Sequence, residues 1–162
     1  MLSVTPAAPD DVGTIAALLD ELDLYYGDSN ITALEQRISE INAAIFSDPV
    51  AAYVLLARDS GESAGLAAYS FLWPAVGSTR SLYLKELYVA KANRRRGVGK
   101  ALIRRVCEIA VENACSRVEW TADMDNPDAQ RFYKALGIPV NPSKVFYRIE
   151  GDALIAASKS LT

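Results

Sequence analysis

Residues 82–100 read LYLKELYVAKANRRRGVGK, and this stretch decides the fold because an apolar strand passes through a glycine-containing turn into an amphipathic helix. The strand covers Leu82 to Val89, and the helix begins around Gly97 and Gly99. Glycine has no side chain, so the backbone N–H groups of such a turn can approach an anion closely, and the positive end of the helix dipole adds to the attraction. The turn therefore predicts a binding site for a phosphorylated ligand.

The composition is that of a globular protein and places limits on its function. The 162 residues, of which 51% are hydrophobic and 23% charged, predict a single domain that covers 1–162. The net charge of −3 argues against a surface that grips nucleic acid, so the arginines of the turn indicate a local anion site. We see no signal sequence and no apolar run of membrane-spanning length, which predicts a cytoplasmic protein with neither membrane nor nucleic-acid partners.

The absence of histidine from the sequence restricts the chemistry further. It excludes every nucleophile activated by histidine, and the two cysteines, Cys107 and Cys115, are spaced neither as zinc ligands nor as a redox pair. We therefore predict that no metal is bound and that any general base is a carboxylate, a water molecule or a backbone group.

Hydrophobic periodicity and turn residues predict the element order β-α-α-β-β-β-α-β-α-β. The predicted strands are Leu2 to Thr5, Ala51 to Ala57, Ala64 to Trp73, Leu82 to Val89, Arg117 to Asp123 and Val145 to Ile149. The predicted helices run from Asp10 to Tyr25, from Thr32 to before Pro49, from Val98 to Asn113 and from Asn126 to Gly137. This order predicts an α/β protein with a mixed sheet, helices on both faces, and a ligand site beyond the carboxyl ends of the parallel strands.

Three phosphate-binding patterns compete for the glycine turn. A Walker loop fails because Arg94 replaces its first glycine and Ala101 replaces the hydroxyl that binds magnesium. A dinucleotide fingerprint fails because Leu102 stands where its third glycine is needed. The remaining pattern, Arg-x-x-Gly-x-Gly, is filled by Arg94, Gly97 and Gly99.

Through this pattern the chain resembles the Gcn5-related N-acetyltransferase (GNAT) superfamily over nearly its whole length. Residues 82–89 resemble the central strand of the family, and residues 126–137, NPDAQRFYKALG, resemble its second cofactor segment. The resemblance implies a mixed, mostly antiparallel sheet of six to seven strands. Similarity to the diamine and thialysine acetyltransferase branch rests on Asp48-Pro49, Gly65 to Phe71, Leu82-Tyr83-Leu84 and Phe132-Tyr133-Lys134.

The resemblance implies acetyl-CoA as the co-substrate and assigns the residues that bind it. The backbone of Leu87, Tyr88 and Val89 is expected to pair with the pantetheine arm, and Asn126 is expected to contact the cofactor from the next helix. The pyrophosphate is expected at the turn formed by Arg94, Arg95, Arg96, Gly97, Val98, Gly99 and Lys100.

Two residues are predicted to act in catalysis. Tyr133 matches the family tyrosine that points at the cofactor sulfur, and a phenol with a pKa of about 10 stays protonated at neutral pH and can donate to a departing thiolate. Glu86 is the nearest candidate base, acting through water. Strict alternation along the strand would place Glu86 on one face with Leu84 and Tyr88, away from Lys85.

The acceptor is predicted to be a primary amine of a small molecule. The diamine branch carries two adjacent acids where this chain has Lys85 and Glu86, so an amino-acid-like amine is as plausible as a diamine or polyamine. The end of the first helix is expected either to line the acceptor mouth or to form a solvated acidic face, and it contains Asp20, Glu21, Asp23, Tyr25, Tyr26 and Asp28. A peptide or protein acceptor and a non-catalytic CoA-binding module remain alternatives, and the resemblance implies a homodimer.

Overall fold

The sheet contains five strands, and the computed structural model describes residues 1–29 and 31–159 of the chain. The strands are β1 Leu2–Pro6, β2 Tyr53–Asp59, β3 Glu62–Leu72, β4 Arg80–Val89 and β5 Cys115–Glu119. The helices are α1 Val12–Tyr25, α2 Leu34–Ile45, α3 Val98–Glu112, α4 Pro127–Ala135 and α5 Gly151–Lys159. Short 3₁₀ turns cover Pro9–Asp11 and Lys91–Asn93.

The strands lie in the order β1-β2-β3-β4-β5, with antiparallel pairing up to β4 and parallel pairing between β4 and β5. This arrangement confirms the α/β class and the mostly antiparallel mixed sheet. The chain divides into two units, residues 1–123, which contain the whole sheet, and residues 124–162, which contain α4 and α5. The extent of the single predicted domain stays a prediction.

Helices cover both faces of the sheet because both faces are apolar. On one face Leu56, Leu66 and Tyr88 form a core with Ile15 of α1 and Ile41 of α2. The other face packs against α3, whose buried stripe is Val98, Leu102, Val106 and Ile109. The spacing of three and four residues in that stripe is the one expected of an amphipathic helix on a core.

An ion-pair network ties α2 to the end of α1. Arg37 is only 8% exposed, and its guanidinium lies 2.8 Å from Asp20 Oδ1 and 2.6 Å from Asp23 Oδ2. A buried guanidinium needs such partners because an unpaired charge is costly away from water. Asp20 and Asp23 therefore hold the two helices together, and only the remaining residues of this segment are available to the acceptor mouth.

A β-bulge interrupts β4 at Lys85. Ala68 pairs with Glu86, whereas the next residue of β3, Tyr69, pairs with Leu84, so Lys85 is an extra residue in β4. Neighbouring residues of β3 point to opposite faces, and Glu86 and Leu84 must do the same. The expectation that Glu86 shares a face with Leu84 is therefore wrong, because one inserted residue reverses the alternation. Glu86 keeps the face of Tyr88.

The strand count and several boundaries differ from the sequence prediction. Within the described residues, Val145 to Ile149 form no strand, since no ladder partner accompanies this exposed segment, and the helix-forming sequence of α5 follows it. Strand β5 ends at Glu119 rather than Asp123, and α2 begins at Leu34 with Ala33 at its N-cap. Across the described ranges 1–29 and 31–159, no helix is long and apolar enough to cross a membrane.

Candidate functional site

Strand β4 extends well beyond its pairing with β5. The parallel register joins Arg80 to Tyr83 with residues up to Glu119, where β5 ends, while β4 continues to Val89. In the described chain, the edge of residues 84–89 that faces β5 is therefore free of a strand ladder. The N–H of Leu87 on this stretch donates to Oε1 of Glu86 at 3.1 Å. This open edge is suited to an extended ligand that pairs with backbone groups.

A close approach of β3 to β4 fixes the position of this edge. A Cβ added at Gly65 would lie 2.4 Å from the carbonyl oxygen of Tyr88 and 3.2 Å from the Cα of Val89. Real Cβ atoms do not come so near to backbone oxygen, so only glycine fits here without displacing β4.

We expect Gly65→Ala to lower the free energy of unfolding by about 1–3 kcal/mol, the usual cost of overpacking, and to weaken ligand binding at the β4 edge. The matched control is Gly13→Ala in α1, where an added Cβ meets nothing within 4 Å and alanine favours the helix. Chemical denaturation of both variants measures the difference. Equal stability of the two variants would show that β4 shifts without cost.

The turn after β4 has the backbone that an anion site requires. Gly97 is the N-cap of α3 with φ 82°, in the left-handed region that favours glycine, and Arg95 has φ 61°. Val98 is buried and anchors the start of the helix in the core. The arginines of the run differ in environment: Arg96 pairs with Asp59 at 2.8 Å, whereas Arg94 lies on two aromatic rings.

Glu86 is half-buried, and this burial raises the pKa of its carboxyl above the usual value. The hydrogen bond from the Leu87 N–H and the charge of Lys85 act in the opposite direction, while the charge of Asp123 raises the pKa further. A carboxyl whose pKa moves toward neutrality is better matched to accept a proton from an ammonium group than an ordinary surface glutamate.

The end of α1 lies against the carboxyl end of β4. Oε1 of Glu21 accepts the N–H of Lys91 at 3.0 Å, and Glu21 also hydrogen-bonds the hydroxyl of Tyr88. The Tyr25 ring lies 5.3 Å from that of Tyr26 and 6.4 Å from that of Tyr88, centroid to centroid. The structure thus brings together Glu21, the two tyrosines and the second half of β4. Their role in an acceptor mouth stays a prediction.

Asp123 belongs to the same group of side chains, although the sequence analysis did not select it for the site. Burial raises the pKa of the Tyr26 hydroxyl, and the charges of Glu86 and Asp123 raise it further. The three groups are therefore within electrostatic reach of one another. The strand topology could have indicated Asp123 as a site residue. Asp123 follows β5, the parallel neighbour of β4, at the edge of the sheet where the carboxyl ends of both strands lie.

The second unit contains the other two predicted site residues. Oδ1 of Asn126 accepts the N–H of Ala129 at 3.1 Å, so Asn126 is the N-cap of α4, and Pro127 is the first residue of the helix. Tyr133 is half-buried in α4, and its ring lies 5.1 Å from that of Phe132. The cofactor contact of Asn126 and the catalytic role of Tyr133 stay predictions.

Comparison with known proteins gives the family. The model of the acetyltransferase (GNAT) family matches residues 15–138, more than half of the chain, and the protein belongs to this family. The predicted superfamily is thereby confirmed, and with it the predicted class of enzyme, an acetyl-CoA-dependent N-acetyltransferase.

Two relatives lie near the branch that the sequence resembles. The L-ornithine N5-acetyltransferase of Arabidopsis thaliana is 31% identical over 96 residues, which are 59% of this chain and 42% of that protein. The thialysine N-epsilon-acetyltransferase of Bos taurus is 25% identical over 159 residues, 93% of this chain and 94% of that protein. The matched region thus spans less than half of the plant relative and nearly all of the bovine one.

Solved structures share the fold. An integron cassette protein from the mobile metagenome of V. cholerae has a TM-score of 0.90 and 27% identity, with 98% of each chain covered. An aminoglycoside N-acetyltransferase in complex with CoA has a TM-score of 0.74 and 19% identity, with 93% of this chain and 96% of that chain covered. The GNAT-like architecture predicted from the sequence is confirmed.

Proposed function

We propose that this protein transfers an acetyl group from acetyl-CoA to a primary amine of a small molecule, by direct attack within a ternary complex. The observation that carries the proposal is the position of Glu86. This half-buried carboxyl with a raised pKa lies on the unpaired edge of β4, in a chain of the GNAT family. A carboxylate so placed supplies the base that a protein without histidine needs.

The donor side of the site is formed by backbone groups and the glycine turn. The edge of residues 87–89, which no strand covers, is proposed to pair with the amides of a pantetheine arm, and the N-terminal N–H groups of α3 are proposed to bind a pyrophosphate. Arg94, Arg95 and Lys100 add positive charge there. A backbone N–H near Leu87 or Tyr88 is proposed to polarise the thioester carbonyl as charge develops on its oxygen.

The reaction removes two protons from the acceptor ammonium and supplies one proton to the CoA sulfur. Glu86 accepts a proton from the acceptor ammonium through water, and the neutral amine then attacks the thioester carbonyl carbon. The bond from carbon to sulfur breaks as the tetrahedral intermediate collapses, and Tyr133 donates its phenolic proton to the departing CoA sulfur. The nitrogen loses its second proton as the amide forms, and this proton restores the Tyr133 phenol. The products are the N-acetylated amine and free CoA thiol.

The charges around Glu86 favour a cationic acceptor. Glu86 and Asp123 provide two carboxylates near Tyr26, and Lys85 places a positive charge near Glu86. The relatives named above are acetyltransferases of ornithine and thialysine, so a diamine, a polyamine or an amino-acid-like amine is the proposed class. The homodimer and the cytoplasmic location stay predictions.

Release of CoA thiol from acetyl-CoA tests the proposal. We expect thiol release with one or more members of a panel of diamines, polyamines and diamino acids, and none without an amine. Failure of all small amines together with transfer to a peptide would favour the peptide acetyltransferase. Tight binding of acetyl-CoA without transfer to any amine would favour the non-catalytic module.

Asp123 is proposed to bind the second cationic group of the acceptor. We expect Asp123→Asn to raise KM for a diamine by about 10-fold, the effect of losing one charge-assisted contact, with a smaller change for a monoamine of equal length. Glu119→Gln is the matched control, because it removes the same charge from an exposed pair with Arg117 on β5. Equal changes for diamine and monoamine would exclude this role.

A further inference from the structure

The guanidinium of Arg94 lies over two aromatic rings, those of Tyr25 and Tyr88, which we call the aromatic shelf. Its guanidinium carbon lies 4.7 Å from the ring centroid of Tyr25 and 5.9 Å from that of Tyr88. Its Nε donates to the carbonyl oxygen of Val89 at 3.2 Å. Tyr88 is 4% exposed and belongs to the core, whereas Tyr25 is 45% exposed, so Tyr25 is the outer ring of the shelf.

This geometry leaves terminal nitrogens of the Arg94 guanidinium available to a ligand. A guanidinium stacks through its face, and its N–H donors point outward in the plane of the group. Nε is bonded to Val89 and the guanidinium also donates to the Tyr88 hydroxyl, but a guanidinium has five N–H donors, so its terminal nitrogens keep further donors for an oxyanion. The stack therefore orients Arg94 for bidentate contact with a phosphate, and it removes part of the side-chain entropy that such a contact otherwise costs.

The same tyrosine also contacts the acceptor side. The edge of the Tyr25 ring meets Tyr26 at 5.3 Å with an interplanar angle of 73°. Tyr26 in turn lies within the electrostatic influence of Glu86 and Asp123. Ring contacts thus join Arg94 at the glycine turn, through Tyr25, to Tyr26, and the charges of Glu86 and Asp123 act on Tyr26.

We propose that Tyr25 is a positioning residue that orients Arg94 toward the pyrophosphate of CoA and, through Tyr26, couples the donor site to the acceptor site. This inference rests on the proposed function. Because coupling between two binding sites is reciprocal, each ligand strengthens the binding of the other by the same factor, and loss of the Tyr25 ring removes this effect in both directions.

Calorimetric titration of the full chain with CoA tests the proposed effect of Tyr25 on cofactor binding and does not require turnover. We expect Tyr25→Ala to raise Kd for CoA by about 3- to 30-fold, the loss expected for a partly exposed cation–π contact, and Tyr25→Phe to restore the affinity because phenylalanine keeps the ring. Tyr53→Ala is the matched control: Tyr53 is 44% exposed and stacks on Tyr69 away from this site.

A double-mutant cycle separates positioning from a general structural effect. In an Arg94→Ala background, Tyr25→Ala is expected to cause no further loss of CoA affinity, while KM for the amine still rises. Equal losses with and without Arg94, an unchanged Kd in Tyr25→Ala, or an equal loss in Tyr25→Phe would overturn the inference. If the wild-type chain fails to bind CoA at all, the proposed function fails instead.

Discussion

Replacing Tyr133 by phenylalanine is expected to lower kcat by about 10-fold or more while the fold is retained. The change removes only the hydroxyl that is proposed to protonate the CoA sulfur, so the thiolate must leave without an acid. Steady-state kinetics with saturating acetyl-CoA measure kcat, and circular dichroism checks the fold. KM for acetyl-CoA is expected to change little, since the contribution arises as the bond to sulfur breaks.

Tyr147→Phe is the matched control, because Tyr147 is a surface tyrosine of the same unit, 88% exposed. A tenfold or larger difference in kcat between the two variants supports the proton donor. Turnover of Tyr133→Phe close to that of the wild type would remove Tyr133 from the mechanism and leave water as the proton source.

Replacing Glu86 by glutamine is expected to lower kcat/KM by about 100-fold at neutral pH, the usual contribution of a positioned base. Glutamine keeps an oxygen that can accept the Leu87 N–H, so the local backbone is conserved. In the wild type, activity falls as the pH decreases through the raised pKa of Glu86, because the protonated carboxyl cannot accept a proton. This acidic limb is expected to be absent from the pH profile of the variant.

The raised pKa of Glu86 also predicts how Glu86→Gln changes the free energy of unfolding. A carboxyl whose folded pKa lies above its unfolded value makes the wild type lose stability as the pH rises through that interval. We therefore expect the variant to have the higher free energy of unfolding at pH 7 and the difference to disappear below the unfolded pKa of Glu86. Denaturant titrations at pH 7 and pH 4 measure this difference between the variant and the wild type. A loss of activity together with a lower free energy of unfolding at pH 7 would indicate damage to the fold instead.

Features with local causes were predictable from the sequence. The turn from β4 into α3 follows from the apolar run before Gly97 and the helical spacing after it. The start of α4 follows equally from Asn126 and Pro127, because an N-cap and its first residue depend only on neighbouring backbone. The arginine and glycine pattern of the turn, together with residues 82–89 and 126–137, also indicated the family that the comparison confirms.

Features that depend on pairing were not predictable in this way. The bulge at Lys85 exists because β4 has one residue more than the facing part of β3. The sequence of one strand does not specify the register in which it pairs with its partner, so the bulge could not be predicted from β4 alone. Asp123 reaches the vicinity of Glu86 only through the parallel placement of β5 beside β4. Likewise, Val145 to Ile149 have the β-branched and aromatic residues that are common in strands, but a strand also requires a ladder partner.

The most direct test of the proposed acetyl transfer follows the acetyl group from acetyl-CoA to the amine. Acetyl-CoA labelled with ¹³C in the acetyl group is incubated with the full chain and a panel of diamines and diamino acids, and mass spectrometry identifies the products while a thiol reagent counts free CoA. We expect one labelled N-acetyl amine for each CoA thiol released. In Glu86→Gln and Tyr133→Phe, the amounts of labelled amine and of free thiol are expected to fall in parallel. Thiol release without labelled amine, or no transfer to any amine while CoA is bound, would contradict the proposed acetyl transfer.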